Sequence, residues 1–365
     1  MRTEPKFQAR TSHLLASFLR EFWSSSSPHP LLSNADLDRI TPLLYESGGA
    51  GLGWWRIRET QLSLTESGEL LHQAFRLLSL QGKMQEARVR KVFGVLRAAN
   101  IEPILIKGWA VARLYPRLGL RPYGDIDLIV RPRDYATALQ IAAVDAPDVL
   151  VDFHGLPFEL QDRSLDELFH RSEVVACGDD KVRVLSTEDH FALLSIHLLK
   201  HGAWRPLWLC DLGVLLESIS SDFDWDVCLG RDKRRANWIV SATGLAHLIL
   251  GASIRDRQIA ARAREVPAWL VNCVLEEWET PFADAQAPQR HRAPIRSYLR
   301  HPRGLSGDLA RRWPNPILAT VDVNGTFSSR RRVRYQFANW FLRAYRLLFD
   351  AASSIPSFSE NHQSP

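Results

Sequence analysis

The chain is poor in cysteine and has no long apolar run. Its four cysteines, Cys177, Cys210, Cys228 and Cys273, are widely spaced, with no Cys-x-x-Cys and no close histidine pairing. Neither a zinc site nor a disulfide framework is expected, which suits a reducing cytosol. No stretch reaches the ~18 apolar residues of a membrane-spanning helix, and the N-terminus carries Arg2, Lys6 and Arg10 without a continuous apolar segment. Neither a transmembrane segment nor an export signal is expected, and the implied location is cytoplasmic. The chain has no internal repeat. It also lacks a large excess of either charge, the formal net charge being only +5. What is present, 45% hydrophobic and 24% charged residues, is ordinary for a globular protein with a sizeable core. At 365 residues the chain exceeds a usual single domain, so two or three units are expected.

The most informative stretch is Tyr123-Gly124-Asp125-Ile126-Asp127-Leu128-Ile129-Val130. It reads as a strand whose period of two puts Asp125 and Asp127 on one face and Ile126 and Leu128 on the other. Two like charges held side by side ask for a cation between them. Upstream, Pro103-Ile104-Leu105-Ile106 is a short apolar strand running into Lys107-Gly108-Trp109, after which Ala110 to Tyr115 has helical composition. Such a glycine turn lets backbone N–H groups approach a phosphate, with Lys107 adding a point charge. The plainer reading of Lys107 is a solvated strand-end lysine. Downstream, a helix is expected from Asp134 to Ala142, then a strand Val149-Leu150-Val151-Asp152-Phe153-His154 in which Asp152 and His154 share a face. Three carboxylates, Asp125, Asp127 and Asp152, opposite a phosphate-binding turn suit hard divalent cations such as Mg²⁺. Two such ions can clamp the attacking and leaving oxygens of an in-line phosphoryl displacement. Asp-x-Asp alone is a weak signal; its weight comes from the Lys-Gly turn before it and Asp-x-His after it. Arg121 suits a triphosphate contact, a charge-balancing role, or a simple loop cation. His154 reads as a structural histidine, a ligand or an acid/base group.

These residues together resemble the nucleotidyltransferase superfamily that includes DNA polymerase β, and within it a bacterial family of uncharacterised nucleotidyltransferases. The family pattern is an apolar strand ending in Lys-Gly, a Tyr-Pro pair, an arginine just ahead of Gly-Asp-Ile-Asp-Leu, and later Asp-x-His. Here those are Ile106-Lys107-Gly108, Tyr115-Pro116, Arg121 with Gly124-Asp125-Ile126-Asp127-Leu128, and Asp152-Phe153-His154. The resemblance runs on through Ser186-Thr187-Glu188-Asp189-His190 and the helix carrying His197, His201, Trp208 and Asp211, roughly residues 65 to 230. The wider superfamily has Ser or Gly after the turn glycine, whereas this chain has Trp109, which puts the phosphate contacts of the turn in question and leaves the carboxylates untouched. The resemblance implies a metal-dependent enzyme moving an NMP from an NTP to an unidentified acceptor hydroxyl or phosphate, with release of pyrophosphate. Asp125, Asp127 and Asp152 would hold Mg²⁺ or Mn²⁺, as two ions, with Asp152 in the role of general base. Lys107, Gly108, Arg121, Gly124 and His154 would contact substrate. The alternatives are γ-phosphoryl transfer from the same site, nucleotide addition to an RNA end, and a non-catalytic nucleotide-binding subunit.

The remaining sequence reads as helices around a small sheet. Residues 11 to 23 and Ala35 to Glu46 have helical patterns, the first broken by Ser24-Ser25-Ser26-Ser27-Pro28 and the second by Gly48-Gly49. From Leu62 to Ala99 apolar residues recur at three- and four-residue intervals, with Gly82 as a point of division. Lys181 to Leu185 reads as a short strand, and Glu188 to Leu199 as a helix capped by Ser186 or Thr187. His197 and His201 are four apart, yet no Glu follows His197, so the zinc-protease pattern is absent. They either pack between helices or face the cleft, where His201, Arg205 and Asp211 would line the nucleotide or acceptor pocket; Trp204 and Trp208 read as core. Helical patterns continue from Trp225 to Leu250, with Lys233, Arg234 and Arg235 exposed between them. Towards the end, Arg290, Arg292, Arg296, Arg300, Arg303, Arg311 and Arg312 precede Pro314-Asn315-Pro316, and Arg330-Arg331-Arg332 with Arg334 opens an aromatic helix. That basic stretch is either a solvated face or a surface for RNA, lipid headgroups or an acidic partner, which with NTP and the acceptor (protein, RNA or small molecule) completes the expected partners. The fold expected is α+β, a small mixed β-sheet nucleotidyltransferase core embedded in a mostly helical chain. Its parts are an N-terminal helical segment 1–60, a catalytic core with leading helix 61–185, a C-terminal helical domain 186–350 and a disordered tail 351–365.

Overall fold

The computed structural model describes residues 10–24, 31–279, 313–329 and 332–353, with side chains as far as Arg343. Five short strands form one mixed sheet: β1 (Ile104–Leu105), β2 (Ile126–Ile129), β3 (Val151–His154), β4 (Glu173–Cys177) and β5 (Asp180–Val184), in the order β3-β2-β1-β5-β4. β1 runs antiparallel to β2 and parallel to β5, and β2 runs parallel to β3. β4 was not anticipated from the sequence; it is tied to β5 by a two-residue hairpin in which Gly178, at φ 60, takes the left-handed conformation that such a turn needs. The crossover from β2 to β3 is the helix Tyr135–Asp145.

The helix Glu66–Ala98 runs unbroken for 33 residues, capped by Thr65, whose hydroxyl accepts from the Gly68 N–H at 3.1 Å. The expected division at Gly82 does not occur. Gly82 is instead a point of close approach, since a Cβ there would lie 2.8 Å from Leu118 Cδ1. The second half of this helix, through Val89, Val92, Phe93 and Leu96, packs with Leu105, Ile126, Leu128, Phe153 and Val184 under one face of the sheet. From the opposite face, Ile104, Ile106 and Ile129 enter the larger core. Alternation along the strands therefore sends side chains to an inner helix layer on one face of the sheet and toward the larger core on the other.

The larger core joins the helices that precede the sheet to those that follow it. Leu15 and Phe18 of the helix Thr11–Leu19, and Leu37 and Leu44 of Asn34–Ser47, pack with Leu212 of Pro206–Ser218 and Leu245 of Lys233–Leu250. A further helix, Ala50–Ile57, follows Gly48-Gly49, where the sequence suggested only a stop. Arg235 is buried rather than exposed: its Nη1 donates to the Glu159 carbonyl at 3.1 Å and its guanidinium lies 5.0 Å from the Phe158 ring. Among the described residues the last helix spans Arg332–Ser353. Its Arg343 reaches Asp322 at 3.8 Å, whereas the arginines between 290 and 312, Arg330, Arg331 and the tail from 354 onward lie outside the described residues. Among the described residues, no helix is long and apolar enough to cross a membrane.

Candidate active site

The parallel pairing of β2 and β3 sets Asp127 opposite Asp152 and Ile129 opposite His154. Because Ile126, Leu128, Val151 and Phe153 turn toward the inner helix layer, Asp127, Asp152 and His154 share the other face. His154 Nε2 lies 3.0 Å from Asp127 Oδ1 and 3.3 Å from Asp152 Oδ2, and Lys107 Nζ lies 3.2 Å from the same Asp127 oxygen. One donor atom from each of Asp127, Asp152 and His154 lies within 4.8 Å of the others, so the group could hold a metal ion. Asp125 is exposed, one residue before β2, and outside that group; Arg121 and Arg205 feel its charge. The histidine thus stands in the group where the sequence pattern predicts Asp125.

Asp127 is only 6% exposed, and a buried carboxylate needs a partner. Burial pushes its pKa up, but the His154 hydrogen bond and the Lys107 ammonium outweigh burial and hold it below the usual carboxylate range. Two carboxylates with an imidazole are a donor set that Mn²⁺ accepts readily, while Mg²⁺ prefers oxygen alone. An open groove lined by Tyr135, His154, Leu156 and Phe158 adjoins the group.

Gly108 stands at φ 57, ψ −113 ahead of the one-turn helix Trp109–Ala112. A Cβ there would lie 3.3 Å from the Tyr123 ring and 3.4 Å from the Asp125 carbonyl, pressing on the loop that enters β2. Trp109 does not crowd this turn. It is 5% exposed in the inner core, its indole N–H 3.4 Å from Glu86 Oε2, so its bulk points away from the strand ends. The long helix also steadies the loop from behind, as Gln85 Nε2 donates to the Gly124 carbonyl at 2.7 Å.

Arg121 and Asp211 form a buried pair. Arg121 Nη2 donates to Asp211 Oδ2 at 2.8 Å and its Nε to Oδ1 at 3.1 Å, while the Tyr115 hydroxyl donates to Oδ1 at 2.7 Å. Burial lowers the Arg121 pKa, yet the Asp211 charge more than reverses that, and the guanidinium is held firmly protonated. Asp211 is wholly buried, so both oxygens are committed to the loop ahead of β2. Beside this pair Arg205 donates from Nε to the Ser47 carbonyl at 2.7 Å. His201 and His197 meet with ring centroids 4.5 Å apart and planes tilted by 54°, with Trp208 against both; although part of His201 is exposed, desolvation of the ring, then His197 and Lys200, bring its imidazole down to about 4. Glu159, which no local motif marks, accepts from Lys200 at 3.4 Å and approaches His197 Nδ1 at 3.5 Å. Burial raises the Glu159 carboxyl, but those two partners together bring it down to about 2.

A model of the family described as uncharacterised nucleotidyltransferase matches residues 33–146 and 143–250, together more than half of the chain. The chain belongs to that family. No curated protein and no solved structure matches it. The match of this nucleotidyltransferase begins upstream of the roughly residue 65 that the motifs suggest, and so takes in Ser47 and Gly48. It spans the Lys107-Gly108 turn, the Asp127, Asp152 and His154 group and the corner that carries His201 and Arg205.

Proposed function

We propose that this nucleotidyltransferase moves a nucleoside monophosphate from an NTP to an acceptor hydroxyl or phosphate, the chemistry of the DNA polymerase β superfamily that it resembles. The observation that carries the reading is the Asp127–Asp152 register, with Lys107 and His154 gathered on it. Asp127, Asp152 and His154, with Asp125 at the rim, would hold Mg²⁺ or Mn²⁺, as two ions in the superfamily's manner. Bound there, the metal would neutralise phosphate charge and align the attacking and leaving oxygens. The chain's own part is positioning and proton handling. Lys107 and Gly108 take the triphosphate, and Arg121 with Asp211 keeps the loop of Gly124 and Asp125 in place. Asp152, whose side chain is 59% exposed, can reach an incoming acceptor and take its proton. The acceptor oxygen then bonds to the α-phosphorus as the bond to the bridging oxygen breaks and pyrophosphate leaves. The plain consequence is that charge at Asp127 is indispensable.

The test is incubation with each α-labelled NTP and Mg²⁺ or Mn²⁺, alone and with host extract, for the wild type, Asp127→Asn and Asp152→Asn. Label should move to protein, RNA or a small molecule with pyrophosphate released, and each variant should lose at least ~100-fold in rate while keeping its circular dichroism. An NDP product instead of pyrophosphate would mean γ-phosphoryl transfer. Full activity in Asp127→Asn would overturn the proposal.

A further inference from the structure

We propose that Arg205 is an anchor for a phosphate group of the substrate, held within reach of the Asp125 charge ahead of β2; the proposal rests on the nucleotidyltransferase reading for its substrate class. Arg205 is the residue that precedes the helix Pro206–Ser218, and its side chain makes no capping bond there. A positive charge at that end of a helix faces the positive pole of the dipole. Of the two acids whose charge Arg205 feels, Asp125 is exposed and makes no ion pair with it, and Asp211 is taken, held by Arg121 Nη2 at 2.8 Å and Nε at 3.1 Å and by the Tyr115 hydroxyl at 2.7 Å. Among the described residues Arg205 has one hydrogen bond, from Nε to the neutral carbonyl of Ser47 at 2.7 Å. Burial, then the neighbouring Arg121, lower its proton affinity.

An arginine placed so awkwardly is nevertheless placed with care. Gly48, at φ 79, leaves room for it, since a Cβ there would lie 2.6 Å from Arg205 Nη2, and Trp208 flanks the guanidinium at 5.7 Å. A guanidinium cannot shed its proton, so the cost of its site is relieved by an anion. Departures from local rules that the rest of the fold takes trouble to keep are typical of functional positions. The planar fork favours a phosphate, which two N–H groups can grip at once. That phosphate is either in the triphosphate tail of the NTP or on the acceptor.

The test is calorimetric binding of pyrophosphate, each NTP and each nucleoside to the full chain, beside Arg205→Gln and Arg205→Lys, with Trp208 fluorescence as a second readout. Arg205→Gln should weaken pyrophosphate and NTP roughly 10- to 100-fold and leave nucleosides unchanged, with Arg205→Lys between them. Unchanged pyrophosphate and NTP binding, joined to a raised KM for a phosphate-bearing acceptor, would assign the site to the acceptor's phosphate. If neither binding nor KM moves in a variant with wild-type unfolding midpoint, the proposal is overturned. Should Arg205→Gln fail to fold, Gly48→Ala displaces Nη2 with the charge retained and must show the same losses. Because binding is read without turnover, a wild type that grips pyrophosphate through Arg205 but transfers no nucleotide would sink the proposed reaction and leave this inference standing.

Discussion

Replacing Asp211 with asparagine asks whether the Arg121–Asp211 pair is a strut under the site or part of its lining. Asparagine keeps the shape and can still accept from the Tyr115 hydroxyl, but it no longer neutralises Arg121. The two side chains are 8% and 1% exposed and 2.8 Å apart. At an effective dielectric of ~20 their attraction is about 6 kcal/mol, much of it cancelled by the cost of desolvating both groups. What asparagine leaves behind is a buried guanidinium with no carboxylate in contact, a defect worth about 3–5 kcal/mol. Against a total stability of ~5–15 kcal/mol this is a large fraction. Urea unfolding followed by tryptophan fluorescence should show that loss with an unchanged m-value. A pair of apolar replacements, Arg121→Met with Asp211→Leu, should lose less than Asp211→Asn alone, because no charge is stranded. A loss below ~1 kcal/mol for Asp211→Asn, together with a raised KM, would refute the strut and return Asp211 to the pocket.

Glu159 gives a pH-dependent counterpart. Its carboxyl is lowered from 4.5 to about 2, so the unfolded chain binds the proton more readily. The group therefore contributes up to about 3 kcal/mol above pH 4.5, lost as pH falls toward 2, and Glu159→Gln should flatten the difference in urea midpoint between pH 5.5 and 3; an unaltered difference would refute it. Trp109→Ala should cost about 3–5 kcal/mol through the cavity it leaves in the inner core, with nucleotide affinity unchanged in the folded fraction. Weakened nucleotide binding without a stability loss would mean that the indole faces the Lys107-Gly108 turn. Gly48→Ala should cost ~1–2 kcal/mol for the left-handed backbone, and a neutral effect on thermal unfolding would show that the turn relaxes freely.

How much of this was legible in the sequence follows from the range of each interaction. Asp127, Asp152 and His154 could be paired from the text alone because a strand's period of two fixes faces, and two strands joined by one helix offer few registers. Lys107 could be placed beside them because the turn that carries it ends the neighbouring strand. Asp125 was less well placed, since the period holds only inside a strand and β2 begins at Ile126. Glu159 was invisible because its partners, His197 and Lys200, come from a helix some forty residues later, and no local pattern records which turn packs against which helix. Gly82 failed for the opposite reason: a local breaker was outweighed by a tertiary contact with Leu118 that only a glycine permits. Arg205 combines both cases. Its position was readable as a cation near the cleft, but its meaning depends on Ser47 and Gly48 at the end of a helix more than a hundred and fifty residues earlier. Such a contact joins the helix Asn34–Ser47 to the corner that carries Arg205 and Asp211, so on the proposed reading a change at either end of that contact should be felt as altered substrate binding before it is felt as altered chemistry.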